Sequence, residues 1–260
     1  MQFSLPQVYF SKIMRAIVEF DMIEDGDHIL IGLSGGKDSL LLVYALAMMR
    51  ERIKKQFTLC AFTLDLLFDT HFDTNVLAEY CQRLCVPYYS EATDIATIIR
   101  ENPNRSACFT CAYFRRGAIN RMAQELHCNK IAYAHHNDDA VETLLMGLLY
   151  SGQISTFLPK TCLSRTGLTV IRPLVYLRED EIRQAERYHG MKPIASPCPY
   201  NGKTARQVVK ELICRLSKEN PLLYPHLAAA LRENNVGDLW PAAKRRTEMV
   251  DVYRKYTKES

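Results

Sequence analysis

A short apolar run, His28 to Leu33 (HILIGL), passes without a linker into Ser34-Gly35-Gly36-Lys37-Asp38-Ser39, and a helical pattern follows from Asp38 to about Ile53. A nearly continuous apolar run of this length marks a strand buried on both faces, the usual state of a strand in a parallel sheet. Paired glycines let backbone N–H groups approach an anion closely. The helix start adds a partial positive charge, Lys37 adds a full one, and the Ser34 and Ser39 hydroxyls can donate hydrogen bonds. The junction therefore reads as a phosphate cradle between a strand and a helix. Two better-known cradles are excluded. The Walker A pattern needs a glycine where Ile31 stands and a hydroxyl residue where Asp38 stands, and the dinucleotide fingerprint has a different glycine spacing.

The alternation continues along the chain. Residues 8–23 carry apolar side chains at helical spacing, and Asp25-Gly26-Asp27 breaks that pattern. Phe57–Leu64, Pro87–Ser90, Lys130–Ala134 and Val170–Pro173 read as strands; Asp73–Leu84, Ala112–His127, Asp139–Tyr150 and Glu179–Tyr188 read as helices. Strands alternating with helices predict an α/β fold, a parallel sheet flanked by helices. The expected organisation is an N-terminal helix over 1–24, a main domain over 25–215 and a helical C-terminal extension over 216–260. From Thr204 onward the pattern is helical only, punctuated by Pro221, Pro225 and Pro241. Ligands bind such sheets beyond the carboxyl ends of the strands. Three polar groups fall there: the glycine loop, Thr63-Leu64-Asp65, and His135-His136-Asn137-Asp138-Asp139. Asp138 or Asp139 can cap the following helix or hold Mg²⁺ bound to a nucleotide. The two imidazoles can steady developing negative charge or ligate a metal.

Composition narrows the class. With 260 residues, 48% hydrophobic and 24% charged, there is room for a core. No apolar run approaches the roughly 20 residues of a membrane helix. Met1–Phe10 lacks the basic start and apolar stretch of a signal peptide, so a cytoplasmic protein without membrane attachment is expected. A net charge of +4 is too mild to argue nucleic-acid binding alone. Arg115-Arg116 and Lys244-Arg245-Arg246 are local basic clusters, readable as solvated helix faces or as phosphate contacts.

Nine cysteines, an odd number without a secretory signal, argue against a disulfide framework and for metal or sulfur chemistry. Cys108-Phe109-Thr110-Cys111 stands before a predicted helix, and Cys198 sits in Ser196-Pro197-Cys198-Pro199. A single Cys-x-x-Cys leaves zinc, iron–sulfur and redox readings open, and no second pair closes a four-ligand zinc site. Cys81 and Cys85, one helical turn apart near Leu77 and Leu84, read as core residues. Cys60 lies in an apolar strand, and Cys128, Cys162 and Cys214 show no partner pattern.

Residues 34–39 resemble in full the SGGxDS loop of the PP-loop ATP pyrophosphatases, whose fold is of the adenine nucleotide alpha hydrolase type. Three segments, FDMIEDGDHILIGLSGGKDSL, CFTCAYFRRGAINRMAQELHCNKIAYAHHNDDAVETLL and VIRPLVYLREDEIRQAERYHGMKPIASPC, resemble the TtcA family, which makes 2-thiocytidine in tRNA. The resemblance covers about residues 10 to 215. It implies that Ser34, Gly35, Gly36, Lys37, Asp38 and Ser39 grip the phosphates of ATP, that Thr63, Asp65 and His135 lie by the nucleotide, and that Mg²⁺ is held near Asp138 or Asp139. It further implies a [4Fe–4S] cluster on Cys108, Cys111 and Cys198, with Arg115 and Arg116 in the Arg-Arg-Gly element that follows the pair; these two arginines and Lys244–Arg246 are candidates for phosphate contact with RNA. The implied partners are tRNA and a sulfur source, a cysteine desulfurase or free sulfide, and dimers are common among such enzymes, so a homodimer is one expected assembly. The pattern departs at Asn201, where the family often has a further cysteine, and residues 216–260 give no match. Alternative readings are a persulfide on Cys108 or Cys111 released by Cys198 without a cluster, thiolation or amidation of another base or a small molecule, and a zinc-stabilised nucleotide-binding module without turnover.

Overall fold

A computed structural model of the chain describes residues 5–232 except 69–71, 103–105, 190, 196–197, 201 and 203. Its elements run α1 (Gln7–Glu19), β1 (Asp27–Gly32), α2 (Lys37–Arg52), β2 (Phe57–Asp65), α3 (Asn75–Arg83), β3 (Tyr88–Ala92), α4 (Ile95–Glu101) and α5 (Ala107–Glu125). They continue with β4 (Lys130–Ala132), α6 (Asn137–Ser151), β5 (Lys160–Cys162), β6 (Thr169–Ile171), α7 (Glu179–His189), α8 (Ala205–Glu219) and α9 (Leu223–Ala229). The six-stranded sheet has the order β3-β2-β1-β4-β6-β5, parallel except for the antiparallel β5–β6 pair.

The apolar run of β1 is explained by its central place. Ile29 and Ile31 face a core shared with α1 and α2, whereas Leu30 faces a second core with Phe62 and Ile119. Both faces are thus covered, and an alternating polar pattern has no surface to serve. Helix α1 contributes Tyr9, Ile13, Ala16 and Ile17, an amphipathic stripe, and Lys12 ties it to Glu181 of α7 at 2.7 Å. The first helix is therefore built into the main core. Strands β1 and β4 are pinned at their start by the buried Lys130–Asp27 pair at 2.7 Å.

Several expectations need correction. Helix α4 and strand β5 were not foreseen. Helix α5 begins at Ala107, not Ala112, because Ser106 caps it through Phe109 N at 3.4 Å. This places Cys108 and Cys111 inside its first two turns. Cys81 is buried as expected, but Cys85 is exposed, past the helix end at φ 51°. Helix α8 runs across the expected boundary at 215/216, and with α9 it packs on α6 through Val141, Val209, Ile213 and Tyr224. Pro241, Lys244, Arg245 and Arg246 lie outside the described residues. Among the described residues, no helix is long and apolar enough to cross a membrane.

Candidate active site

Strand order reverses around β1: β2 and β3 lie on one side, β4 and β6 on the other. The crevice beyond the carboxyl ends of β1 and β4 is where such sheets take ligands, and the chain places both polar loops there. After β1, Gly35 adopts φ +79° and its carbonyl accepts from Ile194 N at 2.9 Å. Gly36 opens α2, whose start carries no side-chain cap, so its N–H groups face outward for an anion. The Ser39 hydroxyl donates to Gly36 O at 2.9 Å and accepts from Ser34 N at 3.2 Å. In this arrangement it shapes the loop. Thr63, buried, does the same from β2 by donating to Leu33 O at 2.7 Å.

A Cβ at Gly35 would stand 3.4 Å from the Ile194 Cβ and sit in left-handed backbone. Gly35→Ala is therefore expected to cost about 1–2 kcal/mol of stability and to weaken nucleotide binding. A denaturant midpoint and an ATP titration check this.

The second loop builds a charge network. His136, buried, has Nε2 3.5 Å from Asp139 and 3.9 Å from Asp38, and Nδ1 3.6 Å from Asp138. These contacts are too long for hydrogen bonds, and both His136 Nδ1 and Asp38 Oδ1 are buried without one. Burial pulls the His136 pKa down, but the three carboxylates outweigh it and raise it. Asp138 receives Arg178 Nε at 3.0 Å and Glu179 N at 2.8 Å. Burial disfavours its charge, yet His136, Arg178 and that amide hold its pKa below the usual range. Arg178 also lies 3.1 Å from the centroid of the Tyr224 ring. Asp139 accepts from Arg206 at 2.8 Å and from His136 N at 3.0 Å. Lys37 lies 3.0 Å from Asp38 and 3.2 Å from Glu179. Glu179 also pairs with Lys210 and, at 2.7 Å, with Arg183. Burial opposes its charge, and the two lysines still lower its pKa to about 2. His135 is different: burial pushes its pKa down, and its Nδ1 accepts from Arg172 at 3.3 Å, so it is a neutral ring near Phe157.

One cavity of about 440 Å³ unites these parts. Ser34, Gly36, Asp38 and Ser39 line one wall, Leu64 and Asp65 the end of β2, and His135 and Asp139 the β4 side. Cys111, Arg115 and Cys198 line the same cavity. The Cys111 thiol is pushed up by burial and by its neighbours Cys198 and Cys108, against the pull of Arg115, so the three cysteines are electrostatic neighbours. Gly35, Lys37, Thr63, Cys108 and Asp138 are not part of the lining, and Arg116 faces a separate groove. Sequence reasoning missed Arg178, Glu179, Arg206 and Lys210. Arg178-Glu179-Asp180-Glu181, charged and opening a helix, was the available signal; Arg206 and Lys210 are one turn apart on α8 but carry no motif.

The PP-loop domain family matches residues 8–216. A tRNA-cytidine(32) 2-sulfurtransferase of Geobacter metallireducens is 38% identical over 221 residues, covering 84% of this chain and 86% of that protein. The enzyme of the same name from Citrifermentans bemidjiense is 35% identical over 225 residues, covering 85% and 88%. Among solved structures, the U34-tRNA thiolase NcsA from Methanococcus maripaludis with its [4Fe-4S] cluster superimposes with a TM-score of 0.71 at 23% identity, over 86% of this chain and 76% of that one. The NMN synthetase from Francisella tularensis gives a TM-score of 0.52 at 16% identity, over 92% and 99%. These two share the fold. Matched by the domain family over 8–216 and by sulfurtransferases along most of their own length, this chain belongs to the PP-loop family, among the tRNA-cytidine(32) 2-sulfurtransferases.

Proposed function

We propose that the chain is a cytoplasmic ATP-dependent tRNA thiolation enzyme, which adenylates the C2 oxygen of a cytidine and exchanges it for sulfur. The observation that carries this reading is the shared cavity, where the phosphate loop and two cysteines face one space. In the reaction the C2 oxygen attacks the α-phosphorus of ATP and pyrophosphate leaves. A sulfur nucleophile then attacks C2, and AMP departs with the former C2 oxygen. The loop amides and Lys37 offset the charge that develops on the leaving pyrophosphate. Asp38 and Asp139 offer oxygen ligands to Mg²⁺, with Asp38 Oδ1 held 3.0 Å from Lys37 Nζ. Asp138, through its bonds to Arg178 and Glu179 N, braces the loop from the side.

Cys111 and Cys198 line the cavity, and Cys108 stands one helical turn before Cys111 on α5; these three thiols would hold a [4Fe–4S] cluster. What such a group supplies when bound is delivery of sulfur to the activated base. Arg115, beside Cys111, stabilises negative charge on sulfur there.

A groove beside the cavity supports RNA as substrate. Tyr113, 62% exposed, and Phe114 offer stacking faces, and Arg116 and Arg165 line the same groove. Tyr133 belongs to both spaces. Exposed aromatics interleaved with arginines suit a single-stranded loop whose target base leaves its stack. The double change Arg116→Ala, Arg165→Ala is expected to weaken tRNA binding and to reduce the salt slope by about 1 per lost phosphate contact, with ATP affinity unchanged. Filter binding at several salt concentrations reads this.

Mass spectrometry of tRNA nucleosides from cells with and without the protein tests the function. Loss of 2-thiocytidine is expected; an unchanged set of thiolated nucleosides contradicts the reading.

A further inference from the structure

We propose that His28, Cys60 and Cys128 form a second metal site, for a single thiophilic ion of the Zn²⁺ type, at the end of the sheet opposite the phosphate loop. His28 lies near the start of β1, Cys60 on β2, and Cys128 in the turn between α5 and β4. None of them lines the ATP cavity. His28 and Leu30 share a face of β1 by strand parity, and Leu30 belongs to the same apolar cluster as Cys60 and Cys128. One ligand atom from each of the three residues lies within 4.8 Å of the others.

The two sulfurs are 3.5 Å apart. Two thiolates on a tetrahedral zinc, at the usual bond length of about 2.3 Å, stand about 3.8 Å apart. Capture of an ion therefore asks for only a small adjustment. The backbone already holds the three residues in place. His28 N donates to Asn129 Oδ1 at 2.9 Å, Asn129 N donates to His28 O at 3.1 Å, and Asn129 Nδ2 donates to Asp27 Oδ1 at 2.8 Å. The segment carrying Cys128 is thereby fastened to β1. Among the described residues the His28 imidazole has no hydrogen bond, so a ring nitrogen is available to a metal. Cys60 and Cys128 are buried and His28 is half-buried, which leaves one open side for a water as fourth ligand.

Electrostatics supports the same reading. The Cys60 thiol, hydrogen-bonded to Cys128 and buried, is pushed up, while that bond pulls Cys128 down. Two adjacent thiolates repel each other in this setting, and a divalent cation neutralises both. Binding replaces both thiol protons, which leave to solvent as the two metal–sulfur bonds form. The site would tie β1, β2 and the start of β4 together across the middle of the sheet.

The test uses full-length, reduced, metal-stripped protein carrying Cys108→Ser, Cys111→Ser and Cys198→Ser, so that the other cysteine set is silent. It is titrated with Co²⁺ alone. The expected result is one equivalent bound with the intense visible bands of a tetrahedral thiolate site, displaced by Zn²⁺, with a rise in melting temperature. Adding Cys128→Ser should abolish the bands, and adding His28→Gln, a half-exposed change that leaves the core intact, should weaken and shift them. Weak octahedral bands in the triple variant, bands that survive both added changes, or a Cys60–Cys128 disulfide forming without metal uptake would each overturn the proposal. Because iron and ATP are absent, the result is independent of the thiolation reading.

Discussion

Lys37→Ala is expected to lower tRNA-dependent pyrophosphate release by about 10²–10³-fold, the loss typical when a preorganised charge donor is removed from a transition state. The side chain is 17% exposed and sits between Asp38 and Glu179, at 3.0 and 3.2 Å. Without nucleotide its charge is matched by these two carboxylates. With a triphosphate in the loop, it is the one full positive charge contributed by residues 34–39. Folding should survive the change, because Glu179 keeps Lys210 and Arg183 as partners. The variant should therefore unfold close to the wild-type temperature while its turnover collapses. Single-turnover pyrophosphate release and circular dichroism separate the two effects. Turnover within a few-fold of wild type would remove Lys37 from the chemistry.

Cys198→Ser is expected to split the reaction into halves. Pyrophosphate release should stay within a few-fold of wild type, while thiolated product falls by more than about a hundredfold. Changes in residues that merely support metal ligands already cost about 10–100-fold, and the loss of a ligand itself exceeds that. Cys198 lines the ATP cavity beside Cys111 and Arg115, and a neutral thiol offers no charge to the leaving pyrophosphate, so adenylation is expected to proceed without its sulfur. Cys214→Ser, exposed and remote in sequence from the motifs, is the control and should change neither half. Equal loss of both halves would mean that Cys198 positions the nucleotide instead.

The sheet was legible because β1 and β2 are buried on both faces and so announce themselves as apolar runs. The glycine loop was legible because only a few residue types tolerate its backbone and its charge. Strand β5, Lys160–Cys162, was not, since it is a short antiparallel edge strand whose residues are only partly covered. The start of α5 was misplaced because its first turns carry no apolar stripe, Phe109 being exposed while the polar Thr110 is buried, so the Ser106 cap was the main cue. The network around Asp138 and Asp139 was half legible. The acids stand in one motif, whereas their partners Arg178 and Arg206 come from far along the chain and meet them only through folding. Cys128 looked partnerless because its neighbour Cys60 lies on a strand two places away in the sheet, a proximity that only the β2-β1-β4 order creates.

The central claim is that the cavity transfers AMP to a base oxygen and then exchanges that oxygen for sulfur. An isotope experiment addresses it directly. A tRNA transcript is prepared with a heavy-oxygen label at cytidine C2 and supplied, anaerobically, with ATP, Mg²⁺, sulfide and the iron-reconstituted protein. The account predicts that the label appears in the phosphate of AMP, in equal amount to the thiocytidine formed. Label retained in the tRNA or released into water, or ADP in place of AMP, would contradict it.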